Sequence, residues 1–195
     1  MTHNELNADT LIARALGTVI QLQGVTVQDL LGLSGALNSY AARLAVTRST
    51  DDDVAALDVA IEEIAAARGF DTLQSAVKHF IVGLAAAAHD PLLLALVAFL
   101  VDIQLELTMT GGSTFEEWQH LVTLLQPDRI TIVDALKRRD ADELVARVGA
   151  FNARAGKLID SEVRSHSTGT AQLTGVISQL AARGTVGRQR EIPSG

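Results

Sequence analysis

The sequence predicts an all-α protein: an antiparallel helical bundle of six to seven core helices, followed by a short C-terminal helix and a flexible tail. Three observations carry this. Hydrophobic residues make up 48% of the chain but aromatic ones only 4%, so the core must be built from Leu, Val, Ile and Ala. Leu and Ala lose little side-chain freedom in a helix and favour it. Capping and breaking residues recur at helix-length intervals, with neither a tandem repeat nor a sustained strand alternation between them.

Each element has its own signals. Asp9 to Leu22 reads as a first helical segment, stopped at Gly24 after a disordered stretch over 1–8. Thr26 and Asp29 have capping-box spacing and open a helix to about Val46. Ser49-Thr50-Asp51-Asp52-Asp53 sets caps and negative charge on the next N-terminus, where the helix dipole favours both. That helix carries Val54, Leu57, Ile61 and Ile64 on one face and ends near Arg68-Gly69. Asp71 starts another, which ends near His89, and Asp90-Pro91 is an N-cap followed by proline at the first helical position. The helix it opens runs to about Met109. Gly111-Gly112 is a turn, and Ser113 with Glu116 forms a further capping box. Pro127 divides the next stretch into a helix to Leu125 and another from Asp128 to Arg138. Asp140 with Glu143 begins the last core helix, to about Val163. The core domain thus spans 9–165. The extension 166–195 is Ser-, Thr-, Gly- and Arg-rich, with a short helix over Gln172–Ala182 and a tail from Arg183.

Charge and composition exclude several classes of function. With 16 basic and 23 acidic residues the net charge is −7, which opposes direct contact with a phosphate backbone. Cysteine is absent, so there is no disulfide, thiolate metal site or Cys nucleophile. The polar, acid-bearing start is unlike a signal peptide. The apolar run Leu92–Val101 is about half of the roughly 20 residues needed to span a bilayer. A cytoplasmic location is the expectation.

Several stretches together resemble one family. Val27-Gln28-Asp29-Leu30-Leu31, then Leu37 and Ala41-Ala42-Arg43-Leu44-Ala45, is similar to the opening helix of the FCD domain, the ligand-binding domain of FadR-type GntR regulators. Ser49 to Leu57 resembles its next loop and helix start. Phe80 to Ala85 leading to His89-Asp90-Pro91-Leu92-Leu93, and Arg129 to Leu136 followed by Asp140 and Ala146, resemble its later helices. The likeness runs from about Leu11 to Ile159 and implies a transcription regulator that dimerises and binds a small effector, not an enzyme. It also implies a divalent metal held by an Asp and three His. Position by position these fall on Val77, Ile81, Arg129 and Phe151, none of which is a metal ligand here. The family's effector-contacting Arg and Glu fall on Ser34 and Asn38. The resemblance further implies a winged-helix DNA-binding head. This chain begins almost at the first FCD helix, so it is an excised piece, a stand-alone domain or a segment of a longer regulator, and DNA would be reached only through that absent head.

These departures make Ser34, Asn38, Val77, Ile81, Arg129 and Phe151 the candidate ligand-binding residues, with no metal, no cofactor and no catalytic residue expected. Val77, Ile81 and Leu84 share one helical face and turn that wall apolar. Either side chains fill the cavity, which is the favoured expectation, or it admits an apolar or acyl-type effector. The resemblance includes a metal-free branch that takes acyl thioesters. Arg129 would be costly to bury unpaired, and is expected to project outwards or to pair with an internal acid. Ser34 and Asn38 either hydrogen-bond an effector or mark a small-residue helix crossing with Gly32 and Gly35. Trp118 is expected to be a core or interface anchor. No two of His3, His79, His89, His120 and His166 stand one helical turn apart, and adjacent acids such as Glu62-Glu63 and Glu116-Glu117 diverge by about 100°. Surface, capping or dipole roles suit all of these better than ligation or catalysis. The expected function is therefore a homodimeric effector-binding domain, the alternative being a vestigial, purely structural dimerisation module.

Overall fold

A computed structural model describes residues 25–110 and 114–166 and contains, among them, seven α-helices and no strand. They are α1 (Val27–Arg48), α2 (Asp51–Ala66), α3 (Phe70–Ala86), α4 (Pro91–Thr110), α5 (Phe115–Leu124), α6 (Gln126–Lys137) and α7 (Ala141–His166). The expected segment Asp9–Leu22, the disordered start, the Gly111-Gly112 turn, Ser113, the short helix Gln172–Ala182 and the tail lie outside the described residues.

Local signals account for the boundaries. Thr26 and Asp29 form a reciprocal capping box on α1, as do Thr50 and Asp53 on α2. On α5 the box is Thr114 with Glu117, one residue later than the expected Ser113 with Glu116. Both pairs have the required spacing, so spacing alone could not choose between them. Phe70, not Asp71, starts α3, with Gly69 as N-cap and no side-chain cap bond. Leu125 closes α5 and opens α6 at once, because Pro127 sits within the first turn of α6, where its missing N–H costs nothing. The chain therefore bends here without the expected gap before Asp128.

The α6–α7 corner is a Schellman motif, closed by Asp140 N–H to Ala135 O and Arg139 N–H to Leu136 O. Its left-handed position is Arg139, φ 56°, where glycine would be the unstrained choice. The guanidinium offsets that strain by donating to Ala45 O, Val46 O and both oxygens of Ser49, which caps the C-terminal end of α1. Asp140 then accepts from Glu143 N–H at 3.0 Å and starts α7.

Packing is layered about α3, which touches α1, α2, α4 and α5, while α7 lies along α1 and α6. Gly83 lets α3 approach α2 closely, for a Cβ there would stand 3.2 Å from Leu57 Cδ2. The main core gathers residues such as Leu57, Leu73, Phe80, Ile132, Leu136 and Leu144, all essentially without solvent contact. Each contributes roughly 1.5–3 kcal/mol of burial. A second cluster joins Leu30 of α1 to Leu100, Ile103 and Leu107 on another side of α4, so α4 is apolar nearly all round.

Thr50→Ala should remove one cap bond, cost about 1 kcal/mol and lower Tm by roughly 2–4 °C at neutral pH. Burial raises the Asp53 carboxyl, but hydrogen bonds from the Thr50 N–H and hydroxyl and from His89 outweigh it and hold the group below its ordinary 3.8. Stability from a depressed carboxylate is present above its ordinary value and lost as pH falls through the depressed one. The gap in Tm between variant and parent should therefore narrow below about pH 3.8, which thermal melts across pH would check.

Candidate functional site

All six sequence-derived candidates line one cavity inside the bundle. Ser34 and Asn38 reach it from α1, Val77 and Ile81 from α3, Arg129 from α6 and Phe151 from α7. Gln104, Trp118 and Asn152 also line it. The cavity measures about 70 Å³. A water molecule's share of liquid is roughly 30 Å³ and a cavity that takes benzene roughly 150 Å³, so the space is small.

Its electrostatics centre on Arg129. The side chain is 1% exposed, contrary to the expectation that it projects outwards, and no acid among the described residues pairs with it. The nearest acid in sequence, Asp128, turns the other way and binds Arg154 at 2.8 Å. Neighbours on a helix point about 100° apart, so adjacency could not make this pair. Both hydrogen bonds of Arg129 leave from Nη1, to Val122 O at 2.8 Å and Gln126 Oε1 at 3.2 Å. Its guanidinium carbon lies 5.8 Å from the Phe80 ring centre and 5.6 Å from that of Phe151. The negative ring faces supply part of the charge compensation that a carboxylate would otherwise provide. Burial lowers the guanidinium to about 10, against a small opposing pull from Asp128. The group thus stays cationic at neutral pH. That lowering corresponds to a penalty on the order of 3 kcal/mol, carried at every pH below the folded value.

The polar rim joins helices as well as facing the cavity. Asn38 Nδ2 donates to Asn152 Oδ1 at 3.0 Å and ties α1 to α7. Gln104 Nε2 donates to Ser34 Oγ at 2.7 Å and ties α4 to α1. Ser34 and Asn38 are thus helix-crossing residues and cavity-lining residues together. Gln104 and Asn152 were not singled out from sequence, because their partners lie 70 and 114 positions away. Trp118 is buried on the cavity wall, as a core anchor would be. Outside the cavity, His79 pairs with Glu63 and His89 with Asp53 on half-exposed surface, while Asp53 and Glu117 cap helices.

A model of the family described as the FCD domain matches residues 29–152, well over half of the chain. This chain is an FCD-domain protein. No curated protein matches it significantly. FCD domains are effector-binding domains of GntR-family transcription regulators, a family of regulators rather than enzymes. No described helix of this FCD domain is long and apolar enough to cross a membrane.

The metal that the family implies does not fit these residues. Val77, Ile81, Arg129 and Phe151 offer two alkyl groups, a cation and a phenyl ring, and none can donate a lone pair to an ion. Among the described residues there is no group of three or more His, Asp or Glu that could hold one elsewhere.

Arg129→Met should leave Tm unchanged or raise it, since an apolar side chain of similar length removes a buried, uncompensated charge. Val122 O keeps the Leu125 N–H as a donor. A fall in Tm of more than about 2 °C in thermal melts would instead make Arg129 a structural strut.

Proposed function

We propose that this FCD domain is the metal-free, effector-responsive and self-pairing part of a FadR-type GntR regulator, and that its effector is an apolar or acyl-type small molecule. The observation that carries the reading is that the apolar Val77 and Ile81 and the polar Ser34 and Asn38 line one cavity. Such a combination, mostly apolar with a few fixed polar groups, is that of a small-molecule site. The effector would act by binding one dimer geometry better than another. Two-fold pairing would set the spacing of attached DNA-binding heads, and contact with DNA would fall to a winged-helix domain rather than to this acidic chain.

The modest size of the cavity favours a second reading, a packed FCD domain that serves only as a dimerisation module. Ligand-induced stabilisation separates the two. On the first, fatty acids or acyl thioesters raise Tm in a saturable way while zinc and nickel leave it unmoved. On the second, neither class moves Tm. A shift with zinc or nickel that a chelator reverses would contradict both. Sedimentation at twice the chain mass is expected on either, and a monomer at high concentration would remove the self-pairing.

A further inference from the structure

Five large hydrophobic side chains stand exposed among the described residues, and three of them share one surface. Leu33 and Tyr40 are 48% and 51% exposed on α1, and Leu92 is 64% exposed on α4. Leu33, Leu37 and Tyr40 recur at i, i+4 and i+7 and so form one stripe along α1. Leu92, Leu96 and Phe99 repeat that spacing on α4. The two stripes adjoin, because Leu37 and Phe99 both pack on the cluster of Leu30, Leu100, Ile103 and Leu107 that joins the two helices. A contiguous exposed apolar face of this kind marks an interaction surface.

Its charges show what fits it. Asp29 and Arg43 bracket the α1 stripe, about one turn before Leu33 and one turn beyond Tyr40. Hydrogen bonds from the Thr26 hydroxyl and N–H hold the Asp29 carboxyl below its ordinary 3.8, so it is an anion at neutral pH. Arg43 is exposed and makes no ion pair among the described residues. The face therefore has an acidic end, an apolar middle and a basic end.

We infer that a second copy of this chain covers the face, with α1 running antiparallel to the partner's α1 about a two-fold axis at Ala36 and Leu37. This rests on the self-pairing reading above and names the surface and the register that it uses. Leu33 with Tyr40, and Asp29 with Arg43, are pairs centred on the same point of the helix. An antiparallel crossing that sets Leu33 against the partner's Tyr40 thus also brings Asp29 to the partner's Arg43, and symmetry makes each contact twice. A parallel crossing would set Asp29 against the partner's Asp29 and Arg43 against the partner's Arg43, which like charges oppose. An anionic membrane would ask for a basic rim, whereas Arg43 is balanced by Asp29 and the chain carries a net charge of −7. The same helix presents Ser34 and Asn38 to the cavity. As one rigid element, α1 joins the cavity to the pairing surface, and a ligand that shifts it is felt across the two-fold axis.

Leu33→Glu and Tyr40→Lys test face and register together. Both positions are about half exposed, so each variant should keep the helical circular dichroism of the parent. In sedimentation the parent should be a dimer, while in each variant alone dissociation should rise at least about tenfold. Mixed in equal amounts, the two variants should recover the dimer. The introduced acid then faces the introduced base across the axis, and the original leucine–tyrosine contact survives at the symmetry-related site. Ala36→Cys gives a second readout in a chain without cysteine: it should oxidise to a linked dimer faster than Thr47→Cys near the helix end. Dimers in both variants alone, or a mixture that fails to pair, would overturn the inference and leave self-pairing to another surface or register. Equal rates of oxidation at the two cysteine positions would do the same. A parent that stays monomeric at high concentration would overturn the inference and the self-pairing reading together.

Discussion

A guanidinium buried without a carboxylate is the constraint around which this bundle is arranged. Arg129 is closed off from solvent and packed against the rings of Phe80 and Phe151, which belong to α3 and α7. The guanidinium thus brings α6 into ring contact with α3 and with α7. The rings themselves meet edge-on at 6.3 Å, so the cation, the two aromatics and the cavity wall form one packed unit. Leaving a buried charge uncompensated opposes folding, and proteins retain such strain where a site needs it. The bundle offsets it with many small contributions: capping boxes on three helices, the Arg139 clamp on the end of α1 and a continuous aliphatic core.

Membership of the FCD family makes the contents of the cavity informative. Where the family pattern calls for an Asp and three His, this chain has Val77, Ile81, Arg129 and Phe151, and these four still converge on one space. The four line one pocket, but they offer a hydrogen-bond donor and apolar groups where the family pattern has lone-pair donors. The positive charge that an ion would bring is carried instead by the protein, on α6.

Much of this was legible in the sequence. Thr26-x-x-Asp29 and Thr50-x-x-Asp53 marked helix starts because a capping box is a local, four-residue device, and the structure uses both. Locality also explains the misplacement at Ser113, where two overlapping boxes compete. The six candidate positions came together around one cavity because register along helices is preserved when side chains are exchanged. What could not be read was set by long-range packing. The burial of Arg129 depends on rings 49 and 22 positions away in the chain, and the adjacent Asp128 misleads because it points to Arg154. The bonds of Gln104 and Asn152 join helices far apart in sequence, and the cavity's volume depends on side chains from six helices at once.

The central claim is that Arg129 is a buried cation facing an apolar, metal-free cavity. A high-resolution crystal structure of the full chain, with anomalous data collected at the zinc and nickel edges, tests it most directly. The expected result is Arg129 closed off from solvent against the Phe80 and Phe151 rings, with no metal peak beside Val77 or Ile81. A metal ion at that point, or an Asp or Glu side chain seated against the guanidinium, would contradict it.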